Sequence, residues 1–205
     1  MSPEDFAAEA GIHPDSLEDY KRWHALLVKW NQHINLVAPS TIGQFWTRHA
    51  LDSAQICRFV PPASVVVDFG SGGGFPALSI AIEAKHEGTS TEVHLIESVG
   101  KKANFLKTVS RETYLHTNIH AARIESVAAI DADIITCRAF APTKKILDYA
   151  CPFLKPSGKV VLLKGENVGD ELEQASRHWK FTTKVHPSLS DSNGHVVEIT
   201  EISRR

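Results

Sequence analysis

At 205 residues, with 42% hydrophobic and 22% charged side chains, the chain can bury a substantial core, and disorder is not its default state. A formal charge of −2 excludes a uniformly basic coat but leaves room for local positive clusters that meet nucleic acid. No apolar run approaches the roughly 20 residues of a membrane span and no basic-then-apolar leader opens the chain, so a cytoplasmic protein without a membrane partner is expected.

The three cysteines, Cys57, Cys137 and Cys151, lack disulfide or zinc spacing and read as reduced core residues. The eleven histidines are scattered and contain no HExxH, so no metal site is expected. No repeat at a fixed period is present.

Residues 1–60 read as a helical extension. Pro14 suits a first turn, and Ser16 to Asp19 suits a capping box. Tyr20, Trp23, Leu27, Trp30 and Ile34 recur at spacings of three and four, which places them on one buried helical face. A polar turn at Asn31 to Asn35 follows. Ser40 then suits an N-cap for a helical stretch from Thr41 through Phe59 that carries Arg48, His49, Asp52 and Ser53. Pro61-Pro62 closes the extension and stiffens the link to the rest.

Residues 61–205 alternate β-branched runs with helical stretches, the pattern of a parallel sheet covered on both faces. Strands are expected at Ser64 to Phe69, Glu92 to Glu97, Asn118 to Ala121, Asp133 to Cys137, Lys159 to Leu163, Lys180 to His186 and His195 to Ile202. Helices are expected at Pro76 to Ala84, Gly100 to Glu112, Lys144 to Leu154 and Val168 to Trp179. Pro187 to Gly194 is too short for a crossover helix, so the last strand should run antiparallel. The predicted fold is α/β and Rossmann-like, with seven mostly parallel strands and an N-terminal helical extension, forming one compact unit.

Asp68-Phe69-Gly70-Ser71-Gly72-Gly73-Gly74 stands at a strand end before a helix, where open α/β sheets bind ligands. Glycine allows positive backbone angles and close approach of a ligand. Asp68 can meet the amino end of a methionine-like ligand, directly or through water. Glu97, ending the next strand, can accept from both hydroxyls of an adenosine ribose. Together they point to S-adenosylmethionine and a class I methyltransferase. A dinucleotide site is the rival, because Gly72-x-Gly74-x-x-Ala77 fits G-x-G-x-x-G/A, but that register starts two residues late. From Gly70, the third glycine position is Phe75, whose ring would obstruct close packing of helix on strand.

The fourth strand decides the kind of acceptor. Ile134 to Pro142 contains neither the Asn/Asp-Pro-Pro-aromatic tetrad of amino methylation nor a cysteine nucleophile after proline. Arg138 stands there instead, and Lys164 ends the following strand, both on the ligand side and suited to positioning. Lys101, Lys102, Arg123, Lys144 and Lys145 lie at neighbouring loop positions, and with Arg48 they are candidates for contacting RNA.

The motifs VDFGSGGGFP, LIES followed by KK and FL, RIE at Arg123 to Glu125, CRAFAP, and LKG at Leu163 to Gly165 resemble the ribosomal RNA small subunit methyltransferase G family, the former glucose-inhibited division protein B. Asn35-Leu36 and Leu51-Asp52-Ser53 extend the resemblance over nearly all of the chain after Asn31. The resemblance implies methylation at N7 of one guanine in the decoding region of 16S ribosomal RNA. Its cofactor positions fall on Gly70, Phe75, Ile124, Glu125 and Arg138, to which the residues themselves add Asp68, Gly72, Gly74 and Glu97. Ala77 replaces a usual glycine and Val37 a usual threonine, both small changes in volume. The implied partner is 16S ribosomal RNA or the small subunit, met by a monomer. A small-molecule methyltransferase and a non-enzymatic RNA-binding module are the alternatives.

Overall fold

The computed structural model describes residues 1–205. Helix α1 (Pro3–Ala10) precedes the first expected turn. The Ser2 hydroxyl accepts from the Asp5 amide, the Asp5 carboxylate accepts from the Ser2 amide, Pro3 opens the first turn, and Gly11 ends the helix. A 3₁₀ turn at Pro14–Ser16 leads into α2 (Leu17–Asn31). The capping box expected at Ser16 does not form. That 3₁₀ turn already holds Ser16 in helical backbone, so its hydroxyl makes no cap bond and is buried without a partner.

The stripe of α2 is buried as its spacing demands: Tyr20, Trp23 and Leu27 are fully enclosed, and Trp30 and Ile34 pack against the same core. Ile34 lies beyond the helix, which stops where the Asn31 side chain bonds the backbone of Leu36 and Val37. The continuous helix expected over Thr41 to Phe59 is instead four pieces. They are 3₁₀ turns at Pro39–Gln44 and Cys57–Phe59, a π-helical turn at Phe45–Leu51, and α3 (Asp52–Ala54). Pro39 at the first position moves the cap from Ser40 to Ala38. The wide π turn lets Phe45, Trp46, His49, Ala50 and Leu51 all face inward, more than one α-helical stripe can bury.

All seven strands form: β1 (Val65–Phe69), β2 (Glu92–Ile96), β3 (Thr117–His120), β4 (Ala132–Arg138), β5 (Leu154–Lys164), β6 (Trp179–Pro187) and β7 (His195–Arg204). Their order is β3-β2-β1-β4-β5-β7-β6, with β7 antiparallel to both its neighbours. Helices α4 (Ala77–His86), α5 (Gly100–Glu112), α6 (Thr143–Ala150) and α7 (Val168–Ser176) cover the two faces. Helix α6 ends four residues before the expected Leu154, because Pro152 has no N–H to continue the ladder, and Leu154 instead begins β5. Cys137 is buried, Cys57 half-buried and Cys151 exposed, so Cys151 is no core residue.

The order reverses between β1 and β4, the switch point at which such sheets open for a ligand. There the N-terminal helices clamp the loop after β1: the Trp23 indole donates to the Gly73 carbonyl at 3.0 Å. Trp23→Phe keeps the aromatic packing but leaves that buried carbonyl without its donor and a small void beside it. The expected cost is about 1–2 kcal/mol, a fall in Tm of roughly 3–6 °C for a chain of this length. Thermal denaturation checks this, and an unchanged Tm would show that the clamp contributes nothing.

Candidate active site

The glycine loop runs from the end of β1 to α4. Gly72 and Gly74 have φ of 53° and 96°, where an ordinary side chain is strained. A Cβ at Gly74 would collide with Leu78, so that glycine serves packing of the loop on α4. A Cβ at Gly72 would meet only the Gly70 carbonyl, at 3.7 Å, so this part of the loop faces open space.

Glu97 is buried and organises the loop: Oε2 accepts from the Gly72 amide at 2.9 Å and Oε1 from the Val99 amide at 2.7 Å. Each carboxylate oxygen keeps a second lone pair for a ligand. Asp68 lies beneath the loop with no exposure. Its Oδ1 accepts from the Thr136 hydroxyl at 2.9 Å, while Oδ2 is buried without a partner. Burial pushes the carboxyl up to about 7, with the Ser71 and Thr136 hydroxyls opposing the rise.

Phe75 does not obstruct the helix. Its ring turns into the N-terminal core, 4.8 Å from Trp23 and 5.0 Å from His49, with the Arg138 guanidinium 4.3 Å above it. It therefore anchors the loop and seats Arg138. Ile124 is buried, and exposed Glu125 accepts from the Tyr149 hydroxyl at 2.8 Å. Phe140 leans over the loop, so close that a Cβ at Gly70 would lie 2.5 Å from its ring.

Arg138 is the junction of the site. It donates to the Arg48 carbonyl at 3.1 Å, to Asp52 at 3.2 Å and to Nδ1 of His49 at 3.0 Å. Burial, then Arg138 and Arg48, push the His49 imidazole down to about 3, so the ring is neutral. With Nδ1 accepting, Nε2 carries the hydrogen and donates to Thr41 at 2.9 Å. His49 and Asp52 were not singled out as site residues by the sequence. Their signals were charge and imidazole at Arg48, His49 and Asp52 on a stretch that otherwise reads as core and, for Asp52, the Leu51-Asp52-Ser53 motif.

Lys164 lies close by but is half committed: Nζ is 2.6 Å from Glu171 and 3.2 Å from the Ala141 carbonyl. Burial works to raise the Glu171 carboxyl, but Lys164 and Thr143 outweigh it and hold it below its ordinary range. The expected basic face is likewise interrupted. Lys101 and Lys102 open α5, Arg123 follows β3, and Lys144 and Lys145 open α6, all beside the strand ends. Lys144, however, is paired with Asp148 at 2.8 Å, and Lys145 lies 5.6 Å above the Tyr149 ring. Arg48, Lys101, Arg123 and Lys145 remain exposed.

A cleft of about 720 Å³ opens beside the loop, lined by Arg48, Arg138 and Lys164 together with Asp52 and the turn between β6 and β7. Gly70 to Gly74 do not line it, but Arg138, which stacks over Phe75 of the glycine loop, does. Polar and charged groups dominate its walls, unlike the apolar pocket expected for a small hydrophobic acceptor.

A family model described as rRNA small subunit methyltransferase G matches residues 16–199. The Ribosomal RNA small subunit methyltransferase G of Rhodospirillum rubrum is 40% identical over 205 residues, covering 100% of both chains. The protein of that name from Caulobacter vibrioides is 40% identical over 199 residues, 97% of this chain and 91% of its own. Among solved structures, a SAM dependent methyltransferase from Aquifex aeolicus shares the fold with a TM-score of 0.60 at 16% identity, covering 84% of this chain and 96% of its own. With the match spanning the glycine loop, Glu97, Arg138 and the cleft, the chain belongs to the rRNA small subunit methyltransferase G family.

Proposed function

We propose that this chain transfers a methyl group from S-adenosylmethionine to N7 of a specific guanine in the decoding region of 16S ribosomal RNA, acting as a cytoplasmic monomer on the small subunit or its RNA. The observation that carries the cofactor reading is the orphaned Asp68 Oδ2 beneath an open Gly72 and beside the buried Glu97. An anion without a donor suits an ammonium or a bridging water, and a second carboxylate suits vicinal hydroxyls. These donor needs fit an amino acid joined to a nucleoside. Residues 1–60 act as the cover of the binding domain at 61–205, since Trp23, Phe45 and His49 pack on its glycine loop.

When bound, S-adenosylmethionine supplies an electrophilic methyl group on a positively charged sulfur. Asp68, Gly70, Gly72, Gly74, Glu97, Ile124 and Glu125 would hold it, with Phe75 and Arg138 fixing the loop. Guanine N7 presents an unprotonated lone pair, so the protein has no proton to remove and its task is alignment of the two reactants. Neutral His49, already spent on Arg138 and Thr41, supports that reading. Arg138, and Lys164 through its remaining hydrogens, position base or phosphate, while Arg48, Lys101, Lys102, Arg123, Lys144 and Lys145 meet the RNA backbone. Affinity for RNA should therefore fall steeply with salt. Thermal shift tests the cofactor: S-adenosylmethionine and S-adenosylhomocysteine should raise Tm, and stabilisation by NAD alone would overturn the proposal.

The raised Asp68 carboxyl has a signed consequence. Its folded value, about 7 against an ordinary 3.8, means the folded chain binds this proton more tightly than the unfolded one. Asp68 therefore lowers stability progressively as pH rises from about 4 to about 7. A cationic ligand favours the ionised form, so affinity for S-adenosylmethionine should rise as pH passes upward through 7, and Asp68→Asn should flatten that rise. Calorimetric titration across pH 6–8 checks it. At saturating cofactor the single-turnover rate should stay flat over the same range, and a steep ionisation that vanishes in a side-chain variant would contradict the absence of a general base.

A further inference from the structure

We infer that the turn between β6 and β7 reads the target base, with Asp191 accepting hydrogen bonds from the N1–H and N2–H edge of a guanine seated in the cleft. This rests on the proposed guanine-N7 reaction. The turn is far from the chemistry in sequence, yet it is built into the wall of the cleft. Gln55 donates to the Ser188 hydroxyl at 2.9 Å and accepts from the Leu189 amide at 2.9 Å, and the Ser190 hydroxyl donates to Asp52 at 2.8 Å. The same Asp52 carboxylate binds Arg138 through its other oxygen, so the turn and the guanidinium share one support.

Asp191 lines the same cleft as Arg48, Arg138 and Lys164. Its Oδ1 accepts from the Asn193 amide at 2.9 Å, which fixes the side chain, and it forms no ion pair within 4.0 Å. An unpaired carboxylate repels the phosphates that the neighbouring cations attract, so it does not serve backbone binding. A carboxylate does match the one feature that sets guanine apart from adenine, adjacent N1–H and N2–H donors. Pairing there leaves N7, on the opposite side of the purine, free for the methyl group.

The test uses the full-length protein and a 16S ribosomal RNA fragment containing the methylated position, made with guanosine or inosine at that site. Inosine keeps N7 but lacks the N2 amino group. Wild type should lose about tenfold in kcat/KM and in RNA affinity with inosine, the size of one charge-assisted hydrogen bond. Asp191→Asn, which keeps an oxygen for Asn193, should lose at least about tenfold on guanosine and show no further loss on inosine. An Asp191→Asn enzyme as fast as wild type on guanosine, or one that retains the full inosine penalty, overturns the inference while leaving N7 methylation intact. Absence of N7 methylation of the guanosine RNA by wild type overturns both.

Discussion

Glu97→Ala is expected to lower the affinity for S-adenosylmethionine about a hundredfold or more while leaving the chain folded. The Glu97 carboxylate is the partner of the Gly72 and Val99 amides, so its loss frees two N–H groups in a buried corner and removes the acceptor proposed for a ribose. Each such loss is worth about 1–3 kcal/mol, so two together, about 2–6 kcal/mol, span the roughly 2.7 kcal/mol of a hundredfold change. Glu97→Gln should sit between, because one amide oxygen can still accept while the NH₂ faces a donor. Calorimetric titration reads the affinity. Retention of RNA affinity by Glu97→Ala together with loss of methylation separates an enzyme from a non-enzymatic RNA-binding module.

Arg138→Ala should be the most damaging single change to turnover, lowering kcat/KM at least about a hundredfold and stability by about 3 kcal/mol. Removing one member of a largely buried ion pair leaves the other uncompensated, typically at 3–5 kcal/mol. Here the lower figure applies, since Asp52 keeps Gln55 and Ser190 as donors. The guanidinium also holds Nδ1 of His49, the Arg48 carbonyl and the Phe75 ring, so its loss loosens the N-terminal cover and the loop together. Arg138→Lys should recover most of the stability through Asp52 but little of the turnover, because a point charge cannot make the forked contacts. Denaturant unfolding and single-turnover kinetics on the same variants check the split. Equal recovery of both would show that Arg138 acts only as a charge.

The parallel half of the fold was legible because buried strands declare themselves as β-branched runs, and the ligand side followed from where Asp68 and the glycines stand on β1. The antiparallel β7 was legible too, because Pro187 to Gly194 leaves no length for a crossover. Helix α1 carries its signature in Ser2, Pro3 and Asp5, ahead of Pro14, where the first helical turn of the extension was expected. Other features had no local signal. The π turn at Phe45–Leu51 exists because five side chains find partners in the core, a tertiary demand that overrides helical spacing. The joining of Gln55 and Asp52 to Ser188 and Ser190 spans more than 130 residues of sequence. For the candidate site, the placement of Glu97, Asp68 and Arg138 at strand ends was readable, whereas the pairing of Lys144 with Asp148 and of Lys164 with Glu171 was not. Those pairings depend on where α6 and α7 settle.

The most direct measurement is a map of N7-methylguanine in 16S ribosomal RNA from cells with the gene, without it, and without it but carrying Glu97→Ala. One decoding-region guanine should be methylated with the gene, unmethylated without it and not restored by the variant. Unchanged methylation of that RNA when the gene is removed would contradict the proposed function.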